Sequence, residues 1–370
     1  MPAWRYSPKL GPTFFTVRTL RYIGNKTKLL DFIGNALDER GIHGGTAVDP
    51  FCGTASVAAY LKGRGFRVIA ADIMQYAYVF ARAYVEVSHP PCFERLRANG
   101  LIPRDDFDDV ISLLRAQPPV PGVIHHLYSP GGPHGRCYFT EENAATIDSI
   151  RTTLDAWHHD GLIDTDTFHI LLAALLEAAD RVANTTGVYA AFVKSWQPNA
   201  LRPLTLRPMP AVAGEGSRAV RVDASELIAQ LEPFDLLYLD PPYNNRQYAG
   251  YYHIPELIAR GWNGGMPKTR GKTGLIDDKH QRSDWSSSKR CESAFERLVA
   301  LAPWKHLVMS YNAEGLIPEA TIERVLRANG LAGTYERRQL TYKRYRSDAD
   351  GENRRYRGDT VREYLYCVSR

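Results

Sequence analysis

The stretch FDLLYLDPPYNNRQY, Phe234 to Tyr248, constrains the fold more than any other part of the chain. Leu236, Leu237 and Leu239 flank Tyr238, with no charged residue until Asp240. Apolar residues on both sides of the pleat predict a strand buried on both faces, the kind found in parallel sheets. Pro241 and Pro242 lack amide hydrogens and have a fixed φ, so the strand stops there. Asp240 and Tyr243 are thereby placed at the carboxyl end of a central strand, where open α/β sheets bind ligands. A lone Asp-Pro would read as a polar turn; the whole Asp-Pro-Pro-Tyr after such a run is far more particular.

The rest of the chain supplies the sheet. TAVDPF (Thr46–Phe51) reads as a strand and turn, TASVAAYLKGRG as a helix ending at Gly63 or Gly65, and FRVIAADI (Phe66–Ile73) as a second strand. A helix through QYAYVFARAYVEV follows, and this βαβα pattern predicts a parallel sheet with right-handed crossovers. The alternation fails between about His89 and Pro210, a region holding Pro90-Pro91, Pro118-Pro119 and the turn SPGGPHGR. Within it, Thr167–Ala183 is apolar nearly all round and predicts a buried helix. The α/β pattern resumes at Ala219, and the last segments, TYERRQLTYKRYR and VREYLYCVS, alternate like the arms of a hairpin. The expected organisation is an α/β domain in two parts, 1–89 and 211–370. Between them lies an inserted, mostly helical region, 90–210. The second part carries an irregular loop at 261–289 and the C-terminal hairpin.

Composition narrows the class. The 370 residues are 44% hydrophobic and 24% charged, ordinary for a globular protein. No apolar run is long enough to span a bilayer, and the N-terminus lacks an apolar core of signal-peptide length. Five scattered cysteines without a C-x-x-C pair suit a reducing cytosol and argue against zinc or a disulfide framework. The eleven histidines have no ligand spacing to cysteines or acids, so no metal is expected. A net charge of +5 leaves a polyanionic partner open.

Further acids fall at predicted strand ends. DPFCGTAS (Asp49–Ser56) is a strand-to-helix turn in which Gly53 lets the backbone approach a ligand. It is not G-x-G-x-x-G, which disfavours a dinucleotide. Asp72 ends the next strand, placed to accept hydrogen bonds from two ribose hydroxyls. Asp223, in VRVDAS, ends a further one, placed to accept from an adenine amino group. Each alone reads more simply as a helix N-cap. Their convergence with Asp-Pro-Pro-Tyr argues for a site.

Taken together, these motifs resemble the Dam-like D12 class of N6-adenine DNA methyltransferases, and they arrive in that family's order. RYIGNKTKLLDFI (Arg21–Ile33) resembles its Arg-aromatic-x-Gly-x-Lys motif. DPFCGTAS resembles its Phe-x-Gly-x-Gly loop, with Ala55 in place of the last glycine, a departure of small size. NTTGVYAAFVKSW (Asn184–Trp196) resembles a segment bordering the active site. GKTGL (Gly271–Leu275) and YYHIPELIARGW resemble modification methylases of restriction systems. The resemblance implies a Rossmann-like, S-adenosylmethionine-dependent methyltransferase sheet with an inserted target-recognition domain. It implies that Tyr22, Lys26, Asp49, Phe51, Gly53, Asp72, Ile73 and Asp223 surround the cofactor, and that Asp240, Pro241, Pro242 and Tyr243 are catalytic.

That chemistry needs these residue types. The lone pair of adenine N6 is delocalised into the ring; Asp240 and the Pro241 carbonyl can each accept one N6 hydrogen and localise it. Such contacts strengthen as charge develops on nitrogen. Tyr243 would stack on the purine, and a base within a duplex must be flipped out to reach it. Expected nucleic-acid contacts are Lys26, Tyr189, Arg136, Lys268, Arg270, Lys272, Arg344, Arg346, Arg354 and Arg355. For Lys26 the alternative is a solvated lysine at a helix start. The expected partners are double-stranded DNA and a cognate restriction endonuclease, in a prokaryotic cytoplasm. An RNA adenine methyltransferase or a non-catalytic nucleic-acid-binding relative are the alternatives; Asp240 argues against glutamine methylation, where Asn-Pro-Pro-Tyr is used.

Overall fold

The computed structural model describes residues 20–277, 279–343 and 360–370. Its centre is a seven-stranded sheet. The strands are β1 (Gly45–Asp49), β2 (Phe66–Asp72), β3 (Arg218–Arg221), β4 (Phe234–Leu239), β5 (Trp304–Asn312), β6 (Glu336–Lys343) and β7 (Thr360–Ser369). Their order across the sheet is β3-β2-β1-β4-β5-β7-β6. The first five run parallel, whereas β7 is antiparallel to both β5 and β6. This is the Rossmann-like α/β architecture that the motifs imply.

β4 lies between β1 and β5, paired at Ala47↔Leu236 and Leu237↔Leu307. Alternation along the pleat sends Leu236 and Tyr238 into the core on one face, and Leu237 and Leu239 into the core on the other. The helices Ala224–Ile228, Cys291–Leu301 and Glu319–Asn329 cover the second face. Leu30–Asp38, Ser56–Gly63 and Gln75–Ala81 cover the first, the last continuing as a π-helical turn over Arg82–Glu86.

The insertion is helical as expected, with Asp106, Thr140 and Asp164 capping Phe107–Ala116, Glu141–His159 and Thr165–Val182 through their side chains. It has no core of its own. Phe107, Ile147, Leu154 and Leu172 belong to the same continuous cluster as Ala47, Val68 and Leu236 of the sheet. The Thr165–Val182 helix is apolar nearly all round because it packs between the sheet-side helices and the rest of the insertion. Among the described residues, no helix is long and apolar enough to cross a membrane.

The hairpin forms, but its second arm enters the sheet. β7 buries Tyr364, Tyr366 and Val368 on one face and Leu365 and Cys367 on the other. Only an interior position satisfies both faces. β6, ERRQLTYK, carries the charges suited to an edge.

Candidate active site

Chain order across the sheet reverses between β1 and β4, and loops leave the carboxyl ends of those strands in opposite directions. Such a switch point opens a crevice. Here it is a solvent-open cleft at the carboxyl ends of β1, β2 and β4. Every residue expected at the cofactor or catalytic centre lines it: Tyr22, Lys26, Asp49, Phe51, Gly53, Asp72, Ile73 and Asp223, with Asp240 to Tyr243.

The turn after β1 is tightly specified. Asp49 accepts the Phe51 amide at 3.2 Å, and the Gly53 amide donates to Asp72 at 3.0 Å. Gly53 has φ +50°, and a Cβ there would lie 3.0 Å from the Tyr22 ring. Ala55, which replaces the family's last glycine, has φ +60° and starts the Ser56–Gly63 helix. The departure is therefore conformational and not one of size: a left-handed L-residue costs about 1–2 kcal/mol. Its methyl is buried in the sheet-side core, which offsets part of that cost.

Asp72 bridges two elements, accepting Gly53 on one oxygen and Met74 on the other, at 3.0 and 2.9 Å. Burial pushes its carboxyl up to about 6 against the pull of those amides. Asp49 is driven well above the usual carboxylate range, by burial first and also by the neighbouring charges of Asp240 and Asp72. Asp223 combines both readings: one oxygen caps the Ala224–Ile228 helix through the Ser225 amide at 2.9 Å, and the residue also lines the cleft.

Asp240 stands just past β4. Its carboxylate lies 3.2 Å from the Lys26 ammonium, which in turn lies 2.5 Å from Glu363 of β7. Burial raises the Asp240 carboxyl to about 7; Lys26 pulls it down and Glu363 pushes it further up. Lys26 is only 3% exposed, which overturns the reading of a solvated helix-start lysine. Burial alone would lower its pKa, but Asp240 and Glu363 outweigh it and hold it charged. Tyr243 packs its ring over Gly24, whose φ of +83° and missing Cβ (which would sit 3.0 Å from the ring) permit the approach.

Several site residues were invisible to local sequence reasoning. Tyr248 joins Tyr22 in the cleft lining at 5.7 Å between centroids, and Tyr252 stacks on Tyr22 at 4.7 Å. Trp285 meets Phe51 edge-on at 4.7 Å, and Gln247 exchanges hydrogen bonds with the Ser283 backbone, closing the irregular loop over the cleft. Glu363 has no local signal at all. Arg21, by contrast, is structural: it donates to Asp180 and to the carbonyls of Ala183 and Thr185, tying the first motif to the end of the Thr165–Val182 helix.

Residues 22–296 match the model of the D12 class N6 adenine-specific DNA methyltransferases. The chain belongs to that family. It is 35% identical over 355 residues to the Type II methyltransferase M.NlaIII of Neisseria lactamica, covering 95% of this chain and 99% of that protein. To M.CviAII of Paramecium bursaria Chlorella virus 1 it is 29% identical over 353 residues, 94% of this chain and 97% of that one. It matches M.FokI of Planomicrobium okeanokoites at 32% over 361 residues, 95% of this chain but about half, 53%, of that longer protein.

The candidate DNA contacts of this methyltransferase divide sharply. Arg136 was expected at DNA but is 3% exposed and donates to the carbonyls of Leu127, Gly271 and Lys272 at 3.0–3.2 Å. Its charge is spent holding GKTGL in place, beside Tyr128 on the Gly274 carbonyl and His253 on that of Thr273. Tyr189 is likewise buried, its hydroxyl donating to Asp180 at 3.0 Å behind the cleft wall. Lys268, Arg270 and Lys272 are exposed on the loop that Arg136 mounts. Arg344, Arg346, Arg354 and Arg355 lie outside the described residues. Arg136→Ala should release the loop: limited trypsin digestion is expected to cut at 268–272 several-fold faster, with methyl transfer reduced but not lost.

Proposed function

We propose that this enzyme transfers the methyl group of S-adenosylmethionine to the N6 of an adenine flipped out of double-stranded DNA, as the modification member of a restriction–modification pair. The observation that carries the reading is Asp240, held beside Lys26 in a cleft that Tyr243, Asp49, Asp72 and Asp223 also line. The residues suit that cofactor. Asp49, Asp72 and Asp240 face a cleft whose Lys26 is already paired, so a ligand bearing sulfonium and ammonium charges relieves their repulsion. When bound, the cofactor supplies an electrophilic methyl group.

The chain's own residues do the rest. Asp240, ionised, accepts an N6 hydrogen and draws the nitrogen lone pair out of the ring. Pro241 and Pro242 end β4 without amide hydrogens that would compete for the same acceptor. Tyr243 stacks on the base and fixes its plane. Tyr22 and Tyr248, with Tyr252 stacked on Tyr22, and the Trp285 loop exclude water. Positioning two reactants in this way supplies much of the acceleration. Asp72 holds the cofactor's ribose, and the basic loop at 268–272 grips flanking phosphate.

The test is methyl transfer from tritiated S-adenosylmethionine to unmethylated duplex DNA, RNA and protein, followed by methylome sequencing of a host expressing the enzyme. Label in N6-methyladenine of duplex DNA at one recurring motif is expected; label in RNA or protein instead would refute the reading. Asp72→Ala is expected to weaken cofactor binding by about 1–3 kcal/mol, the scale for hydrogen bonds to a charged group. In calorimetry the wild-type affinity should also rise as pH climbs through about 6, where Asp72 ionises, and the variant should lose that dependence.

A further inference from the structure

We propose that Glu363 is a positioning residue: it anchors Lys26 so that Asp240 stays open to the adenine amino group. The inference rests on the reading just given and adds a residue to it. Asp240 accepts from N6 more strongly the less of its negative charge is drawn onto Lys26. An ammonium and a carboxylate alone in a buried site close on one another, since little solvent competes. Here Lys26 pairs with both acids but unequally: its ammonium lies 2.5 Å from Glu363 Oε1 and 3.2 Å from Asp240 Oδ1, so Glu363 holds it back from the tighter contact.

Glu363 is built to hold that balance. It is 1% exposed and sits within β7, opposite Asn312 of β5 and Leu340 of β6, so its backbone is fixed from both sides. The Ser310 hydroxyl donates to the same Oε1 at 2.9 Å. Its other oxygen, Oε2, is buried with no hydrogen-bond partner among the described residues. A buried carboxylate oxygen left unpaired is costly. It gives Lys26 a second acceptor to move onto as the adenine amino group arrives at Asp240. The pair thus acts as a counter-ion that yields to the substrate.

The groups facing Asp240 make the effect readable by pH. They are Lys26 from the N-terminal segment, Asp49 after β1, Tyr238 of β4, Tyr311 of β5, Tyr248 beyond the Pro-Pro turn, and Glu363. The three tyrosines keep their protons across the working range, because burial raises each of them. Loss of the Glu363 charge removes an anionic neighbour and lets Lys26 close on Asp240. Both effects favour the Asp240 carboxylate.

The experiment compares full-length wild type, Glu363→Gln and Glu363→Asp in single-turnover methylation of duplex DNA from pH 5.5 to 9, alongside DNA affinity, cofactor affinity and melting temperature. Glu363→Gln is expected to lower the plateau rate roughly tenfold to a hundredfold, the scale of one charge-assisted hydrogen bond. Its acid limb should move to lower pH, with both affinities within about twofold of wild type. Glu363→Asp, whose shorter carboxylate holds Lys26 less well, should fall between the two in both rate and limb position. A merely structural residue would lower the plateau through loss of folded enzyme and leave the limb in place. An unmoved limb in whichever variant folds overturns the proposal. Should wild type itself place no methyl group on adenine in duplex DNA, the proposed reaction has failed instead, and the two outcomes are distinct.

Discussion

Asp240→Ala is expected to slow methyl transfer by roughly 10²- to 10³-fold or more, the cost of removing one preorganised partner of a developing charge. The fold should survive. Asp240 lies beyond β4, and Lys26 keeps Glu363 as its partner at 2.5 Å. Melting temperature and cofactor affinity should therefore stay close to wild type. The wild-type rate should itself rise with pH through about 7, where the Asp240 carboxyl ionises. Alanine-variant activity within about tenfold of wild type, or a wild-type rate flat across that range, would remove Asp240 from the chemistry.

Lys26→Ala is expected to damage the fold as well as the reaction. Removing one partner of a buried ion pair strands the other charge, at about 3–5 kcal/mol. Here it strands two carboxylates, Asp240 and the 1%-exposed Glu363. The sign with pH follows from Asp240. Its folded pKa, about 7, lies above its ordinary carboxylate range, so the folded state holds a proton that the unfolded state has released. That contribution to stability is fully present below the unfolded pKa and is lost as pH rises through the folded one. Without Lys26 the carboxyl is raised further, so the deficit should deepen with pH. Denaturant unfolding of both proteins at several pH values measures it. A deficit under about 1 kcal/mol, or one that shrinks with rising pH, would mean that Lys26 is not the charge balancing this site.

The parts of the site written into short stretches of sequence are those that depend on local backbone chemistry. Pro241 and Pro242 must end a strand wherever they fall, and Leu236 to Leu239 can only be buried on both sides, so β4 and the position of Asp240 were legible. Asp72 and Asp223 were legible as strand-end acids for the same reason. The Arg136 expectation failed because its neighbouring turn, SPGGPHGR, looks like surface in one dimension. Whether a guanidinium meets solvent or a carbonyl depends on a loop more than a hundred residues later in the chain, and here that loop supplies the carbonyls of Gly271 and Lys272. Ala55 misled differently: its size is visible in sequence, whereas its φ of +60° is not.

By itself, then, the sequence determined the order of strands and helices, the turn residues at the cleft, and the family whose motifs they match. Each of these follows from propensity, periodicity and proline or glycine geometry over a few residues. Only the tertiary structure decided that β7 lies inside the sheet and that the insertion shares the core of the sheet. The same holds for Glu363 meeting Lys26 beside Asp240. Those outcomes minimise exposed apolar surface and unpaired buried charge over the whole chain at once, and no short window contains that sum.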